Sequence, residues 1–370
     1  MKRLKIDDTY MKSRIQMIPL MSLIATLALV SLSAAAEQQM STQMDPSRQR
    51  FKVVVGSCLH QDKAQPIWQP MLQEHADLFM LLGDNIYGDT EDMGELEQKY
   101  HKQWSTPGMQ KMLASTPTIG IWDDHDFGEN DAGKAYPQKE ASRQIMLDYF
   151  NEPKDSIRRR RDDGIYTSYF YGESPHRVQI ILPDLRWNRD DLKHVTRLEY
   201  ALKKKPNNQG PYVPHTEPSH KMLGDKQWAW LEKELQKPAD VRILASSLQL
   251  LPEFSGWESW ANFPQERQRL LDVIDSLNIT NLVIVSGDTH WSELSQVKRK
   301  NGASLWEMTS SGLTEEWKQV SPNKHRVGNS FSKANYGVLD IQFEEKGVRV
   351  TMIVKDDTGE VKMQQALSLH

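Results

Sequence analysis

Six short apolar runs, each closed by a small or polar residue and then by a side chain able to hold a ligand, constrain this chain more than any other feature. They are Phe51–Val55 ending at Gly56, Leu78–Leu82 ending at Gly83-Asp84, and Thr118–Trp122 ending at Asp123-Asp124. The other three are Val178–Leu182 ending at Pro183-Asp184, Val241–Ala245 ending at Ser246-Ser247, and Leu282–Val285 ending at Ser286-Gly287-Asp288. Apolar runs of this length that do not alternate are strands buried on both faces. In layered α/β folds, function collects at the carboxyl ends of such strands. Between them, helices are expected over Pro66–Glu74, Glu91–Gln103, Lys139–Phe150, Asp225–Gln236 and Pro264–Leu277. From Gly337 onward the pattern alternates, which predicts strands with turns at Glu345-Lys346-Gly347 and at Asp356-Asp357-Thr358-Gly359. No repeat or low-complexity linker interrupts residues 51–370, so one α/β domain is expected there.

The composition, 38% hydrophobic and 26% charged, is that of a globular chain able to bury a sizeable core. The formal net charge is -4. Residues 1–36 carry five Lys/Arg and two Asp; without them 41 positive groups face 48 negative ones, a net charge of -7. No basic excess supports a nucleic-acid partner. The first 36 residues read as a signal peptide: Lys12 and Arg14, the apolar run Ile18–Leu32, then Ala34-Ala35-Ala36 with cleavage before Glu37. The ten residues before Met11 read as an overcalled start. No Arg pair precedes the apolar run and no Cys follows it, which points to Sec-type export without a lipid or other stable membrane anchor. The expected location is periplasmic or secreted; an uncleaved anchor is the alternative. Residues 37–50 are polar and are expected to be a disordered leader. The only cysteine is Cys58, so no intramolecular disulfide can form.

Two segments read as insertions. The four-Arg run Arg158–Arg161 is expected to be a solvated turn, or else an anion-steering patch. Asp190–Gly224 is long, polar and Pro-rich, and fits equally a lid or a plain surface excursion.

Three loops carry the chemistry. In Leu82–Asp89, Asp84 directly follows a buried strand and has two oxygens with which to bridge two cations, although an Asp there can also simply cap a helix. Tyr87 offers a phenolate. In Trp122–Asp131, five acidic residues, His125 and Asn130 fall in a short stretch, and such density repels itself unless cations neutralise it. In Val285–Glu293, Asp288 and His290 lie two apart. Carboxylates suit calcium or magnesium, while imidazole suits iron, zinc or copper, so a mixed site is implied. Cys58 ends the first run. A thiolate, a phenolate and an imidazole around a bridging carboxylate describe a ferric site better than a zinc or calcium site, and ligation would shield a lone exported thiol from oxidation. The aromatic groups read more plainly: Trp257, Trp260 and Phe263 are expected to pack the Pro264 helix on the sheet, with substrate stacking as the alternative. Trp228 and Trp230 are expected in a helix core.

The spaced set GSC, LGDNIYGD, WDDHDFGEND, LPDLRWNR, MLGDKQWAWL, WESWANFPQER, SGDTHWSE and TSSGLT, from about Phe51 to about Thr314, resembles the PhoD-like alkaline phosphatases. The resemblance implies the calcineurin-like metallophosphoesterase fold, a four-layer double β-sandwich flanked by helices. It also implies Fe(3+) held by Cys58, Asp84, Tyr87 and His290, and Ca(2+) held by Asp84, Asp124, Asp288 and a side chain at 130 or 131. His125 occupies the place of the family's catalytic histidine, with Asp124 beside it. Arg186, Asn85 and Asn130 are implied substrate contacts; for Arg186 a salt bridge to Asp184 or a neighbour is the alternative. The implied reaction is hydrolysis of a small phosphoester, mono- or diester, by in-line attack of a metal-activated water, with His125 protonating the leaving alkoxide. Three departures stand out. Only a short leader precedes the first strand, where larger members carry an N-terminal β-domain. Asn130-Asp131 stands where the family often has paired asparagines. No C-terminal helix covers the site, which favours bulkier diesters. The alternatives are a phospholipase D- or nuclease-like phosphodiesterase and a catalytically silent calcium- or phosphate-binding module.

Overall fold

Two mixed sheets packed face to face, each carrying three of the six apolar runs, organise the molecule. The computed structural model describes residues 49–369; the expected signal peptide and all but the end of the expected leader lie outside them. The chain begins with β1 (Arg50–Gly56), β2 (Leu78–Leu82) and β3 (Thr118–Ile121), all parallel. It then crosses to a second sheet through β4 (Thr167–Tyr171) and β5 (Val178–Leu182). A two-stranded excursion of β6 (Lys193–His194) and β7 (Tyr212–Val213) precedes β8 (Val241–Ala245) and β9 (Leu282–Ser286). β10 (Ser292–Lys298), β11 (Ser304–Thr309) and β12 (Arg326–Phe331) complete this sheet, and β13 (Asn335–Glu344), β14 (Gly347–Asp356) and β15 (Val361–Leu369) return to the first. The strand orders are β15-β14-β13-β1-β2-β3 and β12-β10-β11-β9-β8-β5-β4.

Burial explains why the runs are continuously apolar. Val241, Ile243 and Ala245 of β8 and Val283 and Val285 of β9 join the same core as Val53, Leu78 and Leu339 of the first sheet. Their neighbours Leu244, Leu282 and Ile284 point the other way, to Trp228, Leu231 and Leu270 on the helices Asp225–Gln236 and Pro264–Ser276. On the outer face of the first sheet lie the helices Trp68–Gln73, Met93–Trp104 and Pro107–Ser115. The order helix, sheet, sheet, helix is the expected four-layer sandwich.

Some details depart from expectation. The first strand starts at Arg50, inside the expected leader, because Arg50 forks onto Asp340 of β13 at 2.6 and 2.7 Å. The helix Pro107–Ser115 and the edge strand β4 were not foreseen. The run Arg158–Arg161 is solvated only in part: Arg160 is exposed, but Arg158 is 2% exposed. Its guanidinium binds Glu152 at 2.9 Å, the carbonyls of Ile165 and Gly120, and the Tyr169 hydroxyl. Arg159 is buried against the carbonyls of Pro153 and Glu152. Backbone carbonyls are invisible in a charge pattern, which is why these arginines read as surface. Trp260 and Phe263 do pack the Pro264 helix, whereas Trp257 turns away to meet Trp317, ring to ring at 5.3 Å.

Glu307 of β11 gives a test of the second core. It is fully buried and accepts the backbone N–H groups of Leu250 and Leu251. Burial pushes its carboxyl from an ordinary 4.5 up to about 7. The unfolded carboxyl therefore ionises first. The stabilising contribution is complete below about pH 4.5, declines as pH rises, and is lost above about pH 7. Glu307→Gln keeps one accepting oxygen and does not titrate. It should flatten this part of the stability profile by on the order of 3 kcal/mol. Urea midpoints at either end of that window check this; an unchanged pH slope in the variant would refute it.

Candidate metal centre

Parallel strands align their carboxyl ends, so the loops after β1, β2, β3 and β9 meet at one place. β1 runs into Ser57-Cys58, and Cys58 adopts φ 61°. That turn brings its Sγ to 3.3 Å from Asp84 Oδ2 and 3.1 Å from Ser311 Oγ. β2 is followed by Gly83, φ 97°, where a Cβ would lie 2.6 Å from the backbone nitrogen of Asp123. Only glycine allows the β2 and β3 loops to approach so closely. Asp126 then fixes both loops. Its carboxylate accepts the backbone N–H of Asp84 at 3.1 Å and of Asp123 at 2.7 Å, the Asn85 amide at 2.5 Å and the Tyr100 hydroxyl at 3.2 Å.

Tyr87 is clamped through its backbone by Gln61 and lies between the rings of His60 at 4.7 Å and His125 at 4.1 Å. Its hydroxyl is 3.0 Å from His290 Nε2. His290 in turn donates its backbone N–H to Ser311 Oγ at 2.7 Å. His125 Nδ1 is 2.7 Å from Asp89. Six residues here, Cys58, Asp84, Asp89, Asp131, Asp288 and His290, take φ between 46° and 71°. Left-handed backbone costs an L-residue roughly 1–2 kcal/mol, and its clustering marks a place where the surroundings over-determine geometry.

Four groups of potential ligand atoms lie within 4.8 Å of one another: Cys58, Asp84 and His290; Asp84, Asp124 and His125; Asp84, Asp123, Asp124 and Asp288; and Asp124, Asp131 and Glu258. Asp84 joins a thiol- and imidazole-bearing side to an all-carboxylate side. Asp84 Oδ1 and Asp124 Oδ1 are buried and accept no hydrogen bond. Burial pushes Cys58, Asp84, Tyr87 and Asp288 well above their ordinary values, with neighbouring carboxylates adding to it. Asp123 is pushed up to about 8 and Asp131 to about 7, and burial lowers His290 to about 4. Asp124 goes the other way: burial opposes ionisation, but the charges of His125 and Arg186 hold it below the carboxylate range. Against the pull of burial, Asp124, Asp84 and Asp89 raise His125 to about 11. A buried cluster of carboxylates with orphaned oxygens is stabilised by cations. The residues present therefore fit a soft-and-hard pair of metal ions sharing Asp84.

The structure distributes the expected substrate contacts unevenly. Asn130 is exposed, donating its amide to Asp131 at 2.8 Å, and it is the Asp131 carboxylate that joins Asp124 and Glu258. Asn85 is wholly buried, its amide nitrogen spent on Asp126 and the Ile121 carbonyl while its Oδ1 has no hydrogen-bond partner among the described residues. Arg186 is 0% exposed, with its guanidinium 2.5 Å from Asp123 and 2.7 Å from Glu258. Desolvation makes that charge costly without anionic partners, so it holds two carboxylates in place and does not pair with Asp184. Asp89, Glu258 and Ser311 were not singled out from the sequence. They sit inside LGDNIYGD, WESWANFPQER and TSSGLT, so their signal was present.

The PhoD-like phosphatase profile matches residues 51–362. Alkaline phosphatase D of Bacillus subtilis (strain 168) is 26% identical over 271 residues, covering 61% of this chain and 43% of the relative, so the chain spans less than half of that protein's length. The structure of PhoD superposes with a TM-score of 0.68 at 18% identity, over 88% of this chain and 70% of that one. GAP50, the anchor in the inner membrane complex of Plasmodium, superposes with a TM-score of 0.54 at 13% identity, over 87% and 90%. The two superpositions speak for the fold alone, but the profile spans most of the chain, and the chain therefore belongs to the PhoD-like phosphatase family.

Proposed function

We propose that this chain is an exported hydrolase of small phosphoesters, mono- or diesters. The observation that carries the reading is the convergence on Asp84 of two donor sets of different chemistry. Cys58, Asp84, Tyr87 and His290 would hold Fe(3+), and Asp84, Asp124, Asp288 and Asp131 would hold Ca(2+). Bound there, the cations supply Lewis-acid polarisation of the phosphoryl oxygens and acidify a water near neutral pH. In the reaction, water oxygen bonds to phosphorus, the ester P–O bond breaks, and the leaving alkoxide takes a proton. His125 is placed to give that proton: with Nδ1 on Asp89, Nε2 is free for the leaving oxygen. The contact with Asp89, which is not among the candidate ligands, favours the protonated ring. Asp126 and Ser311 hold the ligand-bearing loops, and Arg186 balances Asp123 and Glu258. The signal-like N-terminus supports export.

The test is hydrolysis of an aryl phosphomonoester and the matching diester side by side, with calcium added at alkaline pH and iron content measured. Turnover of either is expected, and the ratio sets the mono- or diester preference. No turnover of either by iron- and calcium-loaded protein would overturn the reading in favour of a binding module.

A further inference from the structure

The excursion between β6 and β7 carries a helical run, residues 197–207, with an unusual surface. Leu198 and Leu202 are 69% and 68% exposed, and they are the two most exposed large apolar side chains among the described residues. They are four positions apart, which on a helix puts them on one face. Around them stand Lys193, Arg197, Lys203 and Lys205, all exposed, and half-buried Lys204. Among the described residues the only ion pair in this run is Lys203 with Glu199, at 3.9 Å. The rest of the chain is acidic, so this basic patch is local. Water-exposed leucines framed by lysines are costly on a surface that meets only water. They match a bilayer, whose acyl boundary takes the leucines while anionic headgroups face the cations.

The run also borders the metal centre. Tyr200, Lys205, Asn208 and Gln209 share a small cavity with Trp257 and Trp317. The Trp317 ring lies 6.4 Å from that of His290. Tyr212, just beyond the run, donates its hydroxyl to Asp131.

We propose that residues 193–205 form a peripheral docking surface for anionic phospholipid bilayers, with Leu198 and Leu202 inserted and the basic side chains on the headgroups. Docking holds the mouth of the centre beside the lipid surface; this second consequence, and only this one, rests on the hydrolase reading. The partner is a bilayer and not nucleic acid, because the apolar pair is the most exposed part of the patch.

The experiment is co-sedimentation of the whole protein with vesicles of phosphatidylcholine alone and of equimolar phosphatidylcholine and phosphatidylglycerol. Binding is expected to the anionic vesicles, to weaken with added salt, and to be marginal on the neutral ones. Leu198→Asp/Leu202→Asp and, separately, Lys193→Glu/Lys203→Glu should each weaken it by ~10-fold or more, while hydrolysis of a soluble aryl phosphoester stays unchanged. No binding to anionic vesicles, equal binding by the leucine variant, equal binding to neutral vesicles, or retention by DNA through the same lysines would each overturn the proposal. Vesicle binding is read without turnover, so its failure with soluble turnover intact sinks only the docking surface. Binding without any turnover sinks only the hydrolase reading.

Discussion

Asp84→Asn is expected to lower kcat/KM for an aryl phosphoester by ~10³-fold or more and to deplete both sides of the metal centre at once. Asp84 is shared by three of the four ligand groups, so no other single carboxylate couples the cysteine side to the acidic side as it does. Asparagine keeps the shape and the left-handed backbone, which it tolerates better than most residues. What it removes is the charge and one ligand oxygen. Metal analysis and kinetics on the same preparation provide the check, with a thermal melt to show that the fold persists. Wild-type metal content and turnover in the variant would remove Asp84 from its bridging place. Full calcium with iron alone lost would confine it to one side.

Arg186→Met should destabilise the fold by about 3–5 kcal/mol, because it leaves buried Asp123 without its cation and Glu258 with Arg189 alone. The guanidinium touches Asp123 and Glu258, and both are enclosed. Lysine should not rescue the loss, since one ammonium cannot span two carboxylates as the planar fork does. The urea midpoint of the protein without substrate reads the effect directly. A variant of normal stability with a raised KM would instead return Arg186 to the phosphate, as first expected from its position after β5.

The architecture was legible because strands buried on both faces have a short, continuous apolar signature, and all six such runs are strands. The core of the centre was legible for a related reason: Asp84, Asp124 and Asp288 sit two or three residues past those strand ends. Legibility fails where position depends on distant contacts. That Asp131 and not Asn130 turns inward depends on its left-handed φ of 58° and on Tyr212, which lies 81 residues away. Glu258 joins the centre only because Arg186 and Arg189 draw it there. The buried Arg158 reads as surface because two of its four partners are main-chain carbonyls, of Ile165 and Gly120, which no side-chain pattern encodes.

The position of β1 has a consequence for biosynthesis. It lies between β2 and β13, so one flank pairs with a strand formed early in the chain and the other with one near its end. Cys58 reaches Ser311 across 253 residues. Contacts of such sequence separation form late, because a long loop must close before they are made. The thiol and the bridging carboxylate are synthesised first but acquire His290 and Ser311 only once most of the chain has emerged. The candidate ligand set is therefore assembled late in folding, and a chain truncated before Asp288 lacks two of the groups that would hold metal.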